Sequence, residues 1–368
     1  MTPSYRLIIF TVYFLFLMRL DLKNTITKVI LFLLISISTS AQDLLPFVEN
    51  YNKSNYEGDN QIWSLAQGND DAMYFANNYY LLRYDGVKWD KYSLPNKTII
   101  RSILVEGDRV YSGSYKEFGY WYRENGKMNY VSLSKGNAIF DDKNNEEIWK
   151  IFKFKNHIYF QSFNSIFMLN GKDIKRVKFP FLASYCFVVD DAILVASVEQ
   201  GVFKMIDFTF EKLKNCEPLE NNVIHAIEKY NDKIYFFTKK NGVYVLENNL
   251  LKRWNSSLNT TLIAANINVA KFIKNDKLAI GTASNGVYIF DIKENSYINI
   301  NRNNVLMNNS ILSIALDKEN DLWFGLDNGI AHLEVNSPIS IFYDSSGILG
   351  SVYSVASIPS GYLMASNH

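Results

Sequence analysis

The sequence predicts an all-β fold, a β-propeller of about seven to eight four-stranded blades whose last blade is incomplete. The first observation behind this prediction is a repeat of about 41 residues along most of the chain. The second is a turn, usually centred on Gly, at a regular distance after the first strand of each repeat. The third is composition: 15% of the residues are aromatic, with 24 Tyr and 25 Phe, which favours strands over helices.

The repeat divides residues 42–368 into eight units that begin near residues 60, 98, 146, 183, 222, 267, 309 and 350. Their predicted first strands are Ile62–Leu65, Ile100–Ile103, Ile148–Ile151, Tyr185–Val188, Ile224–Ile227, Val269–Phe272, Ile311–Ile314 and Val352–Val355. Each strand alternates apolar, variable, mostly polar and apolar residues. Helical repeats of similar length would need a 3.6-residue periodicity, which the sequence lacks.

The turns and outer strands complete the predicted blades. Asn-Gly pairs at 241–242, 285–286 and 328–329 are strong hairpin signals, because a tight turn between two strands often requires positive φ. Units one and three lack this Gly, so their turns near Tyr80 and Ser165 must use another geometry. Segments such as Trp89–Tyr92 and Tyr297–Ile300 are predicted to be the fourth, outer strand. Aromatic residues on the inner strands would pack one blade against the next.

Residues 1–41 are predicted to be a secretory signal peptide. Lys28 precedes the apolar run Val29–Ile37, and small residues up to Ala41 provide a cleavage site. A true start at Met18 would leave a basic segment before that run. We therefore expect export to the periplasm or cell envelope. An N-terminal membrane anchor is the alternative interpretation.

Charge and composition exclude several functions. The formal net charge of +1 gives no electrostatic attraction for nucleic acid or an anionic membrane surface. Cys186 and Cys216 provide neither a disulfide framework nor a set of metal ligands. The four histidines, His157, His225, His332 and His368, are scattered over different units, without other ligands at metal-binding spacing. The sequence therefore predicts no metal and no cofactor.

The sequence also favours a protein that is not an enzyme. Its acidic pairs fall in or beside predicted turns, where solvation or backbone hydrogen bonds explain them. These pairs are Asp70-Asp71, Asp141-Asp142, Glu146-Glu147 and Asp190-Asp191. Nothing in the sequence shows two carboxylates converging, and no nucleophile motif is present.

Several segments resemble the two-component regulator propeller repeats of bacterial sensor proteins, over most of residues 46–368. These segments are Asn60–Ser64, Met73–Asn78, Arg83–Gly86, Tyr111–Trp121 and, as the cleanest single copy, Asp317–Leu333. The resemblance implies an exported sensor region, usually followed by a triple-tyrosine immunoglobulin-like domain, a membrane span and a cytoplasmic histidine kinase or helix-turn-helix domain. It also implies signalling through such domains, which this sequence lacks, and allows for a dimer and a membrane anchor in the full-length protein.

The eighth unit leaves two interpretations of how the propeller ends. It stops at His368, one residue before the turn glycine that alignment with Trp323–Asn328 predicts. We expect a truncated chain or fragment whose unclosed propeller has an unpaired sheet edge. The alternative is that the strands of the eighth unit pair with residues near 42–56 and close a seven-bladed ring.

One column of residues is a candidate binding site. The variable position of the first strand carries Trp63, Arg101, Trp149, Cys186, His225, Ala270, Leu312 and Tyr353 in the eight units. If these strands are innermost, the column faces the central channel near one mouth of the propeller. Its predicted ligand-binding residues are Trp63, Arg101, Trp149, His225 and Tyr353, which suit a small molecule or glycan. The alternative is that these residues only fill the channel.

These observations predict an extracytoplasmic ligand-sensing propeller of a bacterial signal-transduction protein. Its mechanism would be conformational, because only a difference in affinity between two states can transmit a signal. Two alternatives remain open: an exported propeller enzyme acting on polysaccharide, as a lyase or hydrolase, and a protein-interaction scaffold.

Overall fold

The computed structural model describes residues 44–136, 139–140, 146–342, 350–359 and 361–367. The predicted signal peptide with its alternative start at Met18, the Asp141-Asp142 pair and His368 lie outside these residues. The described chain is all-β, with seven four-stranded antiparallel sheets arranged as the blades of a propeller. In the part of the chain that the structure describes, no helix has the length and apolar character of a membrane span.

Two short strands and a helical turn precede the first blade: β1 (Leu45–Pro46), β2 (Val48–Tyr51) and α1 (Lys53–Tyr56). Blade 1 contains β3 (Ile62–Gln67), β4 (Met73–Asn77), β5 (Leu81–Tyr84) and β6 (Trp89–Tyr92). Blade 2 contains β7 (Ser102–Glu106), β8 (Arg109–Ser114), β9 (Glu117–Glu124) and β10 (Lys127–Ser132). Blade 3 contains β11 (Lys150–Phe154), β12 (His157–Gln161), β13 (Ser165–Asn170) and β14 (Asp173–Lys178).

Blade 4 contains β15 (Ala183–Val189), β16 (Ala192–Ser197), β17 (Val202–Ile206) and β18 (Thr209–Lys212), followed by a 3-10 turn at Glu217–Leu219. Blade 5 contains β19 (Ile224–Tyr230), β20 (Lys233–Thr238), β21 (Gly242–Glu247) and β22 (Leu250–Arg253), and α2 (Leu258–Ala265) follows it. Blade 6 contains β23 (Ile267–Ile273), β24 (Lys277–Thr282), β25 (Val287–Asp291) and β26 (Ser296–Ile300). The seventh unit supplies β27 (Ile311–Leu316), β28 (Leu322–Leu326) and β29 (Ile330–Leu333).

The N-terminal strand β2 closes the ring by becoming the outer strand of blade 7. It pairs antiparallel with β29, with Val48 opposite Leu333 and Tyr51 opposite Ile330. The expectation of an unclosed propeller is therefore wrong for the described residues. The alternative interpretation correctly placed the closing strand near residues 42–56. That strand pairs, however, with the seventh unit and not with the eighth. Because β2 supplies the fourth strand that the seventh unit itself lacks, seven units suffice to close the ring.

The eighth unit forms a separate two-stranded hairpin, β31 (Val352–Ile358) and β32 (Gly361–Ser366). Its register repeats that of the blades, but its side chains are mostly exposed, including Tyr353 at 75%. Between it and the ring, β30 (Ser340–Ile341) pairs with β1. The hairpin therefore has the local structure of a blade without contributing a sheet to the closed ring.

The core is divided into apolar clusters between neighbouring blades. Among the described residues seven such clusters occur, one at each blade interface. The aromatic residues predicted to lie between blades are buried there; for example, Phe75, Phe160, Phe236 and Phe324 are each 0% exposed. Because each blade buries its faces only against two neighbours, stability depends on the ring being complete.

Hydrogen bonds also join each inner strand to the next blade. Three of the seven bonds given below involve the serine that follows the variable position of the first strand. The bonds, in order around the ring from blade 7 to blade 1, are Ser313 Oγ to Ile62 O at 3.0 Å, Ile103 N to Ser64 Oγ at 3.2 Å, Ser102 Oγ to Ile148 O at 3.0 Å, Gln161 Nε2 to Ser184 O at 3.2 Å, Ser184 Oγ to Ile224 O at 3.4 Å, Ile267 N to Lys239 O at 3.0 Å and Asn268 Nδ2 to Ile311 O at 3.1 Å. The serine at the third position of units one, two and seven is thereby explained.

The turn without glycine in blade 3 is held by side chains. The Ser162 hydroxyl accepts hydrogen bonds from the backbone N–H groups of Asn164 and Ser165, at 3.2 and 3.0 Å. Ser162 and Ser165 both donate their hydroxyls to the carboxylate of Glu146, which is 0% exposed. Arg176 completes the charge balance, with its Nη2 2.6 Å from Glu146 Oε1. Glu146, for which the sequence predicted solvation or backbone hydrogen bonds beside a turn, is instead a buried anchor that binds side chains of this turn.

The turn glycine of blade 6 gives a direct test of close packing. Gly286 has φ +69°, and a Cβ atom there would lie 2.1 Å from the Ile300 carbonyl oxygen. Gly126 has a similar φ of +77° but open space around it. We expect Gly126→Ala to lower the free energy of unfolding by about 1 kcal/mol and Gly286→Ala by about 3 kcal/mol or more. Urea unfolding followed by tryptophan fluorescence measures both; equal losses would show that φ alone matters.

Candidate functional site

A cavity of about 350 Å³ lies on the propeller axis, where the inner strands begin. Its lining residues come from all seven blades: Trp63, Ser64, Arg101, Ser102, Ile103, Trp149, Lys150, Ile151, Tyr185, His225, Asn268, Val269, Leu312, Ser313 and Ile314. We call this cavity the central pocket. Its volume falls at the lower end of the range found for small-molecule sites.

β-bulges direct several side chains into the central pocket. The register of β3 with β4 shifts between Ile62 and Ser64, so that Trp63 is the extra residue. The same shift makes His225, Asn268 and Leu312 the extra residues of blades 5, 6 and 7. A bulge re-aims the side chain that it contains, and such bulges are frequent beside functional sites. The pocket is thus built from one repeated backbone irregularity.

The structure brings four of the five predicted site residues together. Trp63, Arg101, Trp149 and His225 all line the central pocket. Tyr353 does not lie with them: it occupies the equivalent bulge of the exposed hairpin, outside the ring.

The predicted column also needs correction in two blades. Cys186 and Ala270 are buried in the core, and Tyr185 and Asn268 take their places in the pocket. A sequence signal could have found Asn268, because in six units the pocket residue directly follows an isoleucine, as in Ile62-Trp63 and Ile267-Asn268. The prediction aligned this unit on Val269 and therefore placed the variable position at Ala270, two residues after Asn268.

An aromatic and charged group dominates one side of the pocket. The Arg101 guanidinium carbon lies 4.2 Å from the Trp63 ring centroid and 4.6 Å from that of Trp149. The two indoles are nearly perpendicular, with centroids 6.0 Å apart. Arg101 Nε also donates to Glu147 Oε1 at 2.7 Å. These contacts hold the guanidinium in one orientation at the pocket wall.

Both indoles are themselves supported. Trp63 Nε1 donates to Asn78 Oδ1 at 2.7 Å, and Asn78 Nδ2 donates to Asp59 Oδ2 at 2.8 Å. Trp149 stacks on Phe163 with a centroid distance of 5.3 Å and an angle of 15°. Side chains fixed by such secondary contacts lose little entropy when a ligand binds, so the wall is preorganised.

Burial changes the protonation of two further groups that line the pocket. Burial lowers the pKa of Lys150 to about 8, and its ammonium lies 3.9 Å from the Phe187 ring centroid. Burial, with a smaller contribution from the charge of Lys239, lowers the pKa of His225 to about 4. At pH 7 the pocket therefore contains a mostly charged Lys150 and a neutral imidazole.

The other candidates for chemistry have structural roles. Asp70 accepts hydrogen bonds from Arg83 Nη2 at 2.9 Å and from Tyr74 Oη at 3.0 Å. His332 stacks on Trp323 with a centroid distance of 4.3 Å. Within the described ranges, no group of three or more His, Cys, Asp and Glu side chains could hold a metal ion.

By its fold and its pocket, the protein is a closed seven-bladed propeller with a preorganised aromatic and cationic pocket on its axis. Residues 305–328 match the model of the two component regulator propeller family. This match confirms the resemblance predicted from the sequence, and the chain carries a repeat of that family in its seventh unit. A comparison with curated protein sequences gives no significant match.

Solved structures with the same fold include both sensor domains and enzymes. The extracellular domain of a protein described as a one-component system from B. thetaiotaomicron is 17% identical, with a TM-score of 0.64, over 86% of this chain and 44% of that one. The extracellular domain of a hybrid two component system from the same organism is 17% identical, with a TM-score of 0.60, over 80% of this chain and 42% of that one. This chain thus spans less than half the length of those domains.

A streptogramin B lyase is 14% identical, with a TM-score of 0.62, over 79% of this chain and 98% of that one. The virginiamycin B lyase from Staphylococcus aureus is also 14% identical, with a TM-score of 0.60, over 78% of this chain and 98% of that one. At these identities the similarity shows the fold alone.

Proposed function

We propose that this chain is the extracytoplasmic ligand-sensing propeller of a bacterial signal-transduction protein, which binds a small molecule or glycan in the central pocket. The observation that carries the proposal is the Arg101 guanidinium packed against both Trp63 and Trp149 at the pocket wall. A residue that only filled the channel would not need two aromatic contacts together with a carboxylate partner. The repeat of a two-component regulator family and the fold of extracellular sensor domains support the sensing role.

The signal would pass through a change in packing between blades. A ligand in the central pocket touches inner strands from several blades at once, and hydrogen bonds such as Ser313 Oγ to Ile62 O connect those strands. A ligand can shift the protein between two arrangements only by the difference in its affinity for them. The proposed output is a conformational change passed to further domains of the signalling protein.

A tryptophan double variant tests this proposal. We expect compounds that raise the melting temperature of the wild-type protein in a screen of sugars and small organic molecules to lose that effect in Trp63→Ala/Trp149→Ala. Each indole removed should weaken binding about fivefold or more, because ring contacts contribute roughly 1 kcal/mol or more. Trp254→Ala is the matched control, since Trp254 lies in a separate groove beside β22. Ligand-induced shifts unchanged in the double variant would contradict the proposal.

An exported propeller enzyme is the second candidate, and His225 is the observation that favours it. Its imidazole lines the pocket, and burial keeps it neutral at pH 7, so that it could act only as a weak general base. The two lyases with the same fold make this chemistry worth testing. If the chain is an enzyme acting on polysaccharide, the wild-type protein releases unsaturated or reducing ends from polysaccharide substrates and His225→Gln does not. Product formation that is equal in both proteins, or absent from both, would exclude His225 catalysis.

A further inference from the structure

The charge balance of the central pocket is one-sided. Two of its lining side chains are cationic, Arg101 and Lys150, and no Asp or Glu occurs among the described residues that line it. Glu147 contacts Arg101 from behind the wall. Glu228, whose pKa is raised by burial, interacts electrostatically with Lys150 but does not line the pocket. Because the lining itself presents two cations and no acid, an anion from outside can add a direct partner.

Arg101 has donors left over for such an anion. Its Nε donates to Glu147, and its guanidinium carbon lies 4.2 Å from the Trp63 ring centroid and 4.6 Å from that of Trp149. Within the described part of the chain, neither Nη1 nor Nη2 has a hydrogen-bond partner. A guanidinium fixed in this way presents two parallel N–H groups, which is the geometry that a carboxylate accepts.

Lys150 lies on the same side of the pocket. Its Nζ contacts the rings of Phe187 and Tyr185, with centroid distances of 3.9 and 5.8 Å. Among the described residues, no carboxylate oxygen lies within 4.0 Å of this ammonium. Tyr185 also experiences the charge of Arg101, so Tyr185 lies within the influence of both cations.

The opposite wall has a different character. Val269, Leu312 and Ile314 present aliphatic side chains to the pocket from blades 6 and 7. A ligand that fits both sides has an anionic group at one end and a ring or chain with apolar surface at the other.

We propose that the central pocket takes a small organic carboxylate, whose carboxylate group faces Arg101 and Lys150 and whose body lies on the Leu312 and Ile314 wall. This inference rests on the proposed ligand-binding function and narrows its ligand to one chemical class. Lys150 is then a specificity-determining residue, since it adds the second positive charge.

Matched pairs of probes test the inference with the full chain. The carboxylates are glucuronate and benzoate, their neutral partners are glucose and benzyl alcohol, and inorganic phosphate is an anion without an organic body. Isothermal titration calorimetry measures the binding of each. We expect both carboxylates to bind at least about tenfold more tightly than their neutral partners and than phosphate, because a charged hydrogen bond contributes that much.

Two lysine variants on one strand complete the test. Lys150→Met is expected to weaken carboxylate binding about tenfold or more, whereas Lys153→Met, which removes an exposed partner of Glu106, leaves it unchanged. Lys150→Met removes a buried charge, so its melting temperature should not fall, and a loss of binding then has no folding explanation.

The pH dependence gives an independent measurement. The groups that face Lys150 from neighbouring strands are Tyr185, Cys186 and Phe187 on β15, Glu228 on β19 and Lys271 on β23. Because Lys150 loses its proton above a pKa of about 8, carboxylate affinity should fall between pH 7 and pH 9.5 in the wild-type protein. The Lys150→Met variant should show a much weaker pH dependence.

Three results would overturn the inference: no binding of either carboxylate, equal binding of the neutral partners or phosphate, or unchanged carboxylate binding in Lys150→Met. None of these results contradicts the proposed ligand-binding function. Neutral compounds that bind the wild-type protein, but not Trp63→Ala/Trp149→Ala, would still indicate a ligand in the pocket. Failure of the tryptophan test would instead remove both.

Discussion

Replacing Arg176 by methionine is expected to lower the free energy of unfolding by about 3–5 kcal/mol. Its guanidinium is the positive partner of the Glu146 carboxylate, which is completely buried beside the blade 3 turn. Without Arg176 the partners that remain for the carboxylate among the described residues are the hydroxyls of Ser162 and Ser165. An unpaired buried charge is among the most destabilising changes that a single substitution can cause.

The double variant Arg176→Met/Glu146→Gln is the control for this prediction. A neutral amide retains hydrogen bonding with the two serines, so the double variant should recover more than half of the loss. The exposed pair of Lys153 and Glu106 provides a second comparison, and Lys153→Met should cost less than about 1 kcal/mol. Urea unfolding at pH 7 measures all three variants. An Arg176→Met effect as small as that of Lys153→Met would contradict the buried-charge explanation.

Removing the closing strand should have a comparable or larger effect. A chain that begins at Leu44 keeps β2, whereas one that begins at Lys53 loses it. Tyr51 in this strand stacks on Trp323 at a centroid distance of 5.9 Å and lies 5.4 Å from Trp89. Loss of the buried Val48 and Tyr51, together with an open edge on blade 7, should cost more than about 4 kcal/mol.

Calorimetry and size-exclusion chromatography of the two truncated chains measure this effect. The chain from Leu44 should unfold in one cooperative transition, and the chain from Lys53 should be unfolded or aggregated. Two point variants separate packing from deletion: Tyr51→Ala should cost about 3–5 kcal/mol, whereas Tyr353→Ala in the exposed hairpin should change stability by less than about 0.5 kcal/mol. A chain from Lys53 as stable as the longer one would contradict closure by β2.

The repeat made the fold predictable, but closure was not. Each blade has its own alternation of apolar and polar residues and its own turn, so the same pattern occurs seven times in one sequence. The strand Val48–Tyr51 has no repeat to identify it, and its partner β29 is almost the whole ring away in sequence. Periodicity describes local hairpins, whereas this pairing depends on the geometry of the finished ring.

The candidate site was predictable to a similar degree. Trp63, Arg101, Trp149 and His225 were found because the variable column and the pocket coincide where the unit starts with Ile. Tyr185 and Asn268 were not predicted, because the prediction relied on the alternation of side-chain direction along each strand. A β-bulge shifts this alternation locally. Lys150 was also missed: it follows Trp149 directly, and only the structure shows that it reaches the pocket beside Phe187.

The most direct test of a ligand in the central pocket is fluorine NMR of the protein labelled with fluorotryptophan. The chain has six tryptophans, and single Trp→Phe variants assign their resonances. On titration with a compound that raises the melting temperature, we expect the resonances of Trp63 and Trp149 to shift, while that of Trp254 in its separate groove stays unchanged. A shift of Trp254 with no change at Trp63 and Trp149 would contradict binding in the central pocket.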